Sequence, residues 1–219
     1  MRKKMIGAVS AALLAFPCAG WADPLTIAAF GDSLTQGYGL PADQGFVPQL
    51  QRWLNDQGAD AVLVNAGVSG DTSAGGAARV GWTLTPEVGA MIVELGANDM
   101  LRGIDPAVTR ANLDQILTAA DDAGVEVLLV GMEAAGNWGP DYKEAFDAIY
   151  PDLAAVHDVP LVPGFFDGIA AEVPDFAEAQ GRYFQADGLH PNAQGVTLVV
   201  QDIGPAVLDL IDAAREAGR

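Results

Sequence analysis

Apolar residues gather into short continuous runs separated by longer amphipathic stretches. The runs cover residues 25–30, 61–65, 90–95, 125–131 and 160–162. Most show no apolar–polar alternation, which predicts strands covered on both faces rather than strands with one wet face. Between them, apolar spacings of three and four predict helices over 46–57, 74–80, 106–123 and 142–157. A last helix is predicted over 191–217, opened by Pro191 and closed by Glu-Ala-Gly-Arg. This alternation predicts an α/β chain with a parallel sheet between helical layers. Sheets of that kind bind ligands beyond the carboxyl ends of their strands, so the chemistry is sought there.

The N-terminus follows a different pattern. Arg2, Lys3 and Lys4 precede an apolar stretch over 5–16, which Pro17 breaks, and Gly20 and Ala22 supply the small residues of a cleavage site. That is the layout of a secretory signal, with an apolar core too short to span a bilayer. The reading divides the chain into a signal peptide, 1–22, and one domain, 23–219, exported to the periplasm or secreted. Cys18 is the only cysteine and leaves with the signal. Phe16-Pro17 before it does not suit a lipoprotein, so no stable membrane anchor is expected.

Charge narrows the partners. Eleven basic residues against 29 acidic ones give −18, and loss of Arg2, Lys3 and Lys4 with the signal takes this to −21. Nucleic-acid backbones and anionic membranes need clustered cations, and the balance argues against both.

Four polar, glycine-bearing sequences fall at strand ends or loops: "FGDSLTQG", "NAGVSGDTS", "ELGANDMLRG" and "DGLHPN". Singly, each has a plain reading. Ser33 suits a helix cap, Asn65, Asp71 and Asn98 suit turns, and His190 suits a surface position beside a helix start. As a set they are harder to dismiss. After residue 22 the only serines are Ser33, Ser69 and Ser73, and the only histidines His157 and His190. His157 ends a predicted helix, where it meets the helix dipole. His190 follows Asp187 by three residues, close enough for one tight turn to hold both.

A serine hydroxyl attacks at neutral pH only if an imidazole takes its proton. The imidazole needs a carboxylate to fix its tautomer, and the tetrahedral intermediate needs donors aimed at its oxyanion. Gly70 allows close backbone approach, and Asn98 offers an amide. Rival motifs are missing. Thr35 stands where a G-x-S-x-G elbow has its second glycine. "GDSLTQG" lacks the lysine of a phosphate loop, and two distant histidines without cysteine leave no zinc cluster. Asp32 and Asp99 read as acceptors that brace their loops.

These blocks resemble those of the SGNH (GDSL) hydrolase family: Ser33 in "GDSL", Gly70 in "SGDT", Asn98 in "GAND", Asp187 and His190 in "DGLH". "NAGVSGDTSAGG", "VELGANDMLRG" and "YKEAFDAIYPDLA" extend the similarity to bacterial periplasmic esterases with thioesterase, lysophospholipase and arylesterase activities. The resemblance runs in order through nearly the whole chain after residue 22. It implies a three-layer αβα sandwich, flavodoxin-like, with a five-stranded parallel sheet. It also implies a serine hydrolase without metal or organic cofactor, acting on small acyl esters or thioesters, with a monomer favoured. Ser33 would be the nucleophile, His190 the general base and then acid, and Asp187 the group that orients it. The backbone N–H groups of Ser33 and Gly70 and the amide of Asn98 would form the oxyanion hole. Two positions depart from the family pattern: Ala97 replaces a common glycine, and Met100 a smaller residue. Two other readings share the scaffold, a carbohydrate O-deacetylase and a non-catalytic binding module. The second would be expected to lack Ser33, Asp187 or His190, and all three are present.

Overall fold

Five parallel strands form the sheet: β1 (Leu25–Gly31), β2 (Ala61–Gly67), β3 (Val88–Glu94), β4 (Glu126–Val130) and β5 (Leu161–Val162), in the order β2-β1-β3-β4-β5. The computed structural model describes residues 24–218, and the segment read as a signal peptide lies outside the described residues. From β1 the chain first adds β2 on one side, then crosses back to add β3 on the other. This reversal opens a crevice at the carboxyl ends of β1 and β3.

The continuous apolar runs become the central strands because both of their faces are covered. Ile27, Ala28, Ala29 and Phe30 in β1 are fully buried, as are Leu128 and Leu129 in β4. On one face α10 (Ala193–Ala217) packs on α2 (Phe46–Asp56) and α8 (Asp167–Glu172), with α9 (Phe176–Tyr183) beside it. On the other, α5 (Pro106–Asp122) packs between α3 (Ser73–Thr83) and α7 (Ile149–His157), next to α6 (Pro140–Asp147). Two short helices, α1 (Ser33–Gln36) and α4 (Ala97–Arg102), lie at the strand ends. This is the expected three-layer αβα arrangement with a five-stranded parallel sheet.

At its edge β2 exposes Val62 and Val64. There the Gln51 side chain imitates a neighbouring strand, donating to the Ala61 carbonyl at 2.9 Å and accepting from Leu63 N at 2.7 Å. Satisfying the free backbone groups blunts the edge against further pairing. No helix among the described residues is long and apolar enough to cross a membrane.

Two expectations are corrected. The final helix begins at Ala193, not Pro191: Asn192 caps it, accepting from Gln194 N and Gly195 N, both at 3.0 Å. The helix expected over 142–157 is two helices, α6 and α7, that break at Ala148. The cap of α1 is Asp32, and Ser33 is the first helical residue.

Candidate active site

The turn after β1 places the nucleophile candidate. Asp32 follows the strand as the cap of α1, and its Oδ1 accepts from Leu34 N at 3.0 Å, closing α1 around Ser33. A first helical residue has no intrahelical acceptor for its N–H, so the Ser33 amide is left to point outward. After β2, Gly70 adopts φ 79°, a left-handed conformation suited to glycine. Ser69 Oγ donates to Gln36 Oε1 at 2.9 Å and fastens this loop to α1. After β3, Gly96 turns the chain with φ 122° and α4 presents Asn98, whose Nδ2 donates to Asp32 Oδ2 at 2.9 Å.

The fourth block approaches from α10. Asp187 Oδ1 accepts from the N–H of Leu189 (2.9 Å) and of His190 (3.1 Å), folding the turn on itself. Its Oδ2 lies 2.7 Å from His190 Nδ1, and His190 Nε2 lies 2.8 Å from Ser33 Oγ. Burial pushes the Asp187 carboxyl up, but the two N–H groups and the imidazole outweigh it and bring it down to about 2. The carboxylate is therefore ionised and accepts only, which puts the imidazole proton on Nδ1. Nε2 is then free to accept from the serine hydroxyl. Tyr38 packs on the imidazole with ring centroids 4.8 Å apart. Gln185 Nε2 donates to the Tyr38 carbonyl at 2.8 Å, tying the histidine loop to the serine loop.

All five expected residues thus meet around one cavity of about 360 Å³, which Ser33, Gly70, Asn98, Asp187 and His190 line. A second cavity of about 420 Å³ adjoins it and shares Met100, Leu101, Met132, Phe166 and Leu189 with the first. Its own walls are mostly apolar, with Phe165, Ile169, Val173, Phe176 and Phe184 from the segment around α8 and α9, and Glu133 and Asp167 as the charged exceptions. Neither of these helices was anticipated from the periodicity.

Buried polar supports lie beneath. Asp99 is fully buried and accepts from Ser73 N at 2.8 Å, Ser73 Oγ at 2.5 Å and Thr109 Oγ1 at 3.3 Å. It braces its loop, as does Asp32. Sequence reasoning passed over Glu94 and Arg79. Glu94 is buried at the end of β3, with Oε2 accepting from Thr35 Oγ1 at 2.8 Å and Oε1 left without a partner among the described residues. Burial, then the nearby Asp32 charge, hold its carboxyl well above the usual range. Arg79 pairs with Asp71 at 2.7 Å and donates to the carbonyls of Ala66 and Gly31, both at 2.9 Å, locking the ends of β2 and β1 together. Asp71 is therefore a strut rather than the turn former its sequence suggested. His157 stands apart at the end of α7, 2.7 Å from Asp114. The signals for Glu94 and Arg79 were present but weak: an acid closing an apolar strand, and a lone cation in the small-residue helix α3.

A parallel sheet with a serine, a histidine and an acid meeting at its carboxyl edge defines a serine hydrolase scaffold of the αβα type. The chain belongs to the GDSL-like Lipase/Acylhydrolase family, whose model matches residues 29–198. It is 40% identical over 187 residues to "Esterase TesA" of Pseudomonas aeruginosa, covering 85% of this chain and 89% of that one. It is 41% identical over 182 residues to "Thioesterase 1/protease 1/lysophospholipase L1" of Escherichia coli, covering 82% and 80%. Among solved structures, one titled "Crystal Structure of TesA" superposes with a TM-score of 0.75 at 38% identity, covering 84% of this chain and 99% of that one.

Proposed function

We propose that this ester hydrolase acts through an acyl-enzyme on Ser33, with His190 as general base and acid and Asp187 as its orienting carboxylate. The observation that carries the reading is the unbroken relay from Asp187 Oδ2 to His190 at 2.7 Å and on to Ser33 Oγ at 2.8 Å. The hydroxyl proton passes to Nε2 as Oγ attacks the acyl carbonyl. The oxyanion that forms is met by the N–H groups of Ser33 and Gly70 and by the Nδ2 of Asn98. Nε2–H then protonates the leaving alcohol or thiol, and the acyl group stays on Ser33. A water molecule, deprotonated by the same nitrogen, attacks the acyl-enzyme, and the acid departs as Oγ regains its proton.

The acyl half of the substrate fits the second cavity. The names of the relatives, esterase, thioesterase and lysophospholipase, support esters and thioesters with an aliphatic acyl chain as the substrate class. Cleavage of residues 1–22 and export to the periplasm complete the reading, supported by the basic and then apolar N-terminus. The test is the Ser33→Ala variant. It should fold as wild type by circular dichroism, lose hydrolysis of a chromogenic butyrate ester, and lose labelling by a fluorophosphonate probe, which needs an activated serine. Near-normal turnover in that variant refutes the assignment.

A further inference from the structure

Seven lysines and arginines lie among the described residues, and five of them pair with a carboxylate: Arg79, Arg110, Lys143, Arg182 and Arg215. Arg52 and Arg102 do not, and Arg102 sits just outside the catalytic cavity, against one of the residues that line it. Its Nη2 donates to the Gly70 carbonyl at 2.9 Å, and a Cβ built on Gly70 would lie 3.8 Å from that nitrogen. Gly70 lines the cavity, so an exposed guanidinium stands directly against the wall of the proposed oxyanion hole.

A guanidinium carries five N–H donors in a planar fork. One contact to a carbonyl leaves most of them unused. The neighbouring carboxylates are engaged elsewhere: Asp71 holds Arg79, and Asp105 caps α5 by accepting from Ala107 N at 2.9 Å. In a chain of net charge −18, an exposed arginine that no carboxylate neutralises is a local exception. Position narrows what it meets. Ser69 and Gly70 line the catalytic cavity but not the apolar chamber. With the acyl chain in that chamber, Arg102 lies on the side of the leaving group.

We propose that Arg102 recognises a phosphate carried by the leaving group of the substrate. The inference rests on the serine-hydrolase reading above, because it takes the cavity to be the site of ester cleavage. Guanidinium forks match phosphate oxygens in a bidentate manner, and a lysine at the same place supplies charge without that geometry. The phosphate has two sources, the headgroup of a lysophospholipid and the phosphates of an acyl-coenzyme A.

Two matched pairs of substrates separate the sources and test the role. One pair is 1-lauroylglycerol 3-phosphate against 1-lauroylglycerol; the other is lauroyl-coenzyme A against lauroyl-N-acetylcysteamine. In Arg102→Gln the kcat/KM ratio of phosphate-bearing to neutral substrate should fall about fivefold or more in at least one pair. The fall should be carried by KM, shrink in high salt, and be partly restored in Arg102→Lys. The pair that responds identifies the source. An equal loss on both members of each pair would mean that Arg102 only props Gly70, and an unchanged ratio in both pairs overturns the proposal. A wild type that turns over a butyrate ester but none of the four substrates also overturns the proposal, whereas one that turns over neither fails the underlying serine-hydrolase reading instead.

Discussion

Asn98 donates its side-chain amide to the buried carboxylate of Asp32 across 2.9 Å. An amide has two N–H groups, so this bond fixes one and aims the other at the cavity. Asp32→Asn removes the acceptor and sets two amides donor to donor. The Asn98 side chain must then turn its oxygen toward residue 32, which spoils the donor proposed for the oxyanion. The expected result is a kcat lowered roughly 10–100-fold with KM within about twofold, short of the roughly 10²–10³ typical for deleting a donor outright. Steady-state kinetics on a butyrate ester checks this. A loss confined to KM would place Asn98 in ground-state binding instead.

The same carboxyl sets a pH dependence of stability. Burial pushes Asp32 from 3.8 up to about 6, despite the N–H of Leu34 and the amide of Asn98. The fold therefore binds its proton more tightly than the unfolded chain does. The associated stability is fully present below 3.8 and is lost as pH rises through about 6. Glu94, which burial also holds well above its usual range, acts in the same direction. Asp187, lowered to about 2, acts oppositely, its contribution being lost only as pH falls from 3.8 toward 2. Urea midpoints at pH 4.5 and 7.5 should differ less in Asp32→Asn than in wild type, because one titrating group is gone. Equal differences in the two proteins would show that Asp32 does not titrate in this window.

Glu94 offers a contrast between shape and charge. Its Oε2 accepts from the Thr35 hydroxyl, and the side chain fills the space behind the serine turn. A Cβ on Gly31 would come within 2.7 Å of its Oε2, so the turn is packed directly on this side chain. Glu94→Gln keeps both volume and acceptor, and should retain kcat within about threefold. Glu94→Ala leaves a cavity and an orphaned buried hydroxyl at Thr35. It should cost roughly 2–4 kcal/mol in urea unfolding and lower kcat more than it changes KM, as the turn carrying Ser33 loosens. If both variants behaved alike, the side chain's volume and acceptor would be irrelevant to the turn.

The pattern of apolar positions was enough to place the sheet. Runs such as 25–30 can be buried on both faces only in one kind of architecture. The elements it missed are short or weakly periodic. A helix as brief as α1 or α4 has no room for a period, and α8 and α9 take their apolar residues from a cavity wall rather than from the central core. Site residues with scarce chemistry were legible: after residue 22, two histidines and three serines leave few combinations once Asp187 stands three residues from His190. Supports were not, because Arg79 and Glu94 act through contacts 48 and 59 residues away in the chain. Proline misled at the last helix. Pro191 lies in an isolated antiparallel bridge with Phe184, which holds it extended, and the better cap Asn192 follows.

The two adjoining cavities set an expectation for chain length. In the proposed mechanism the first, about 360 Å³, holds the reacting ester, and the second, about 420 Å³, begins beyond Met100, Met132 and Phe166. Each methylene fully buried there is worth about 0.8 kcal/mol, or roughly fourfold in kcat/KM. Wild type should therefore gain steeply from butyrate to dodecanoate with matched p-nitrophenyl esters. Ala170 lines the second cavity from α8 and is exposed, so a larger side chain can be placed there without entering the core. In Ala170→Trp the ratio of dodecanoate to butyrate kcat/KM should drop at least about tenfold, equivalent to excluding two methylenes or more. A wild type that shows no gain beyond short chains would assign the second cavity to something other than the acyl chain. It would also favour a site that takes acetyl-sized groups, as a deacetylase does, while leaving the relay through Ser33 intact.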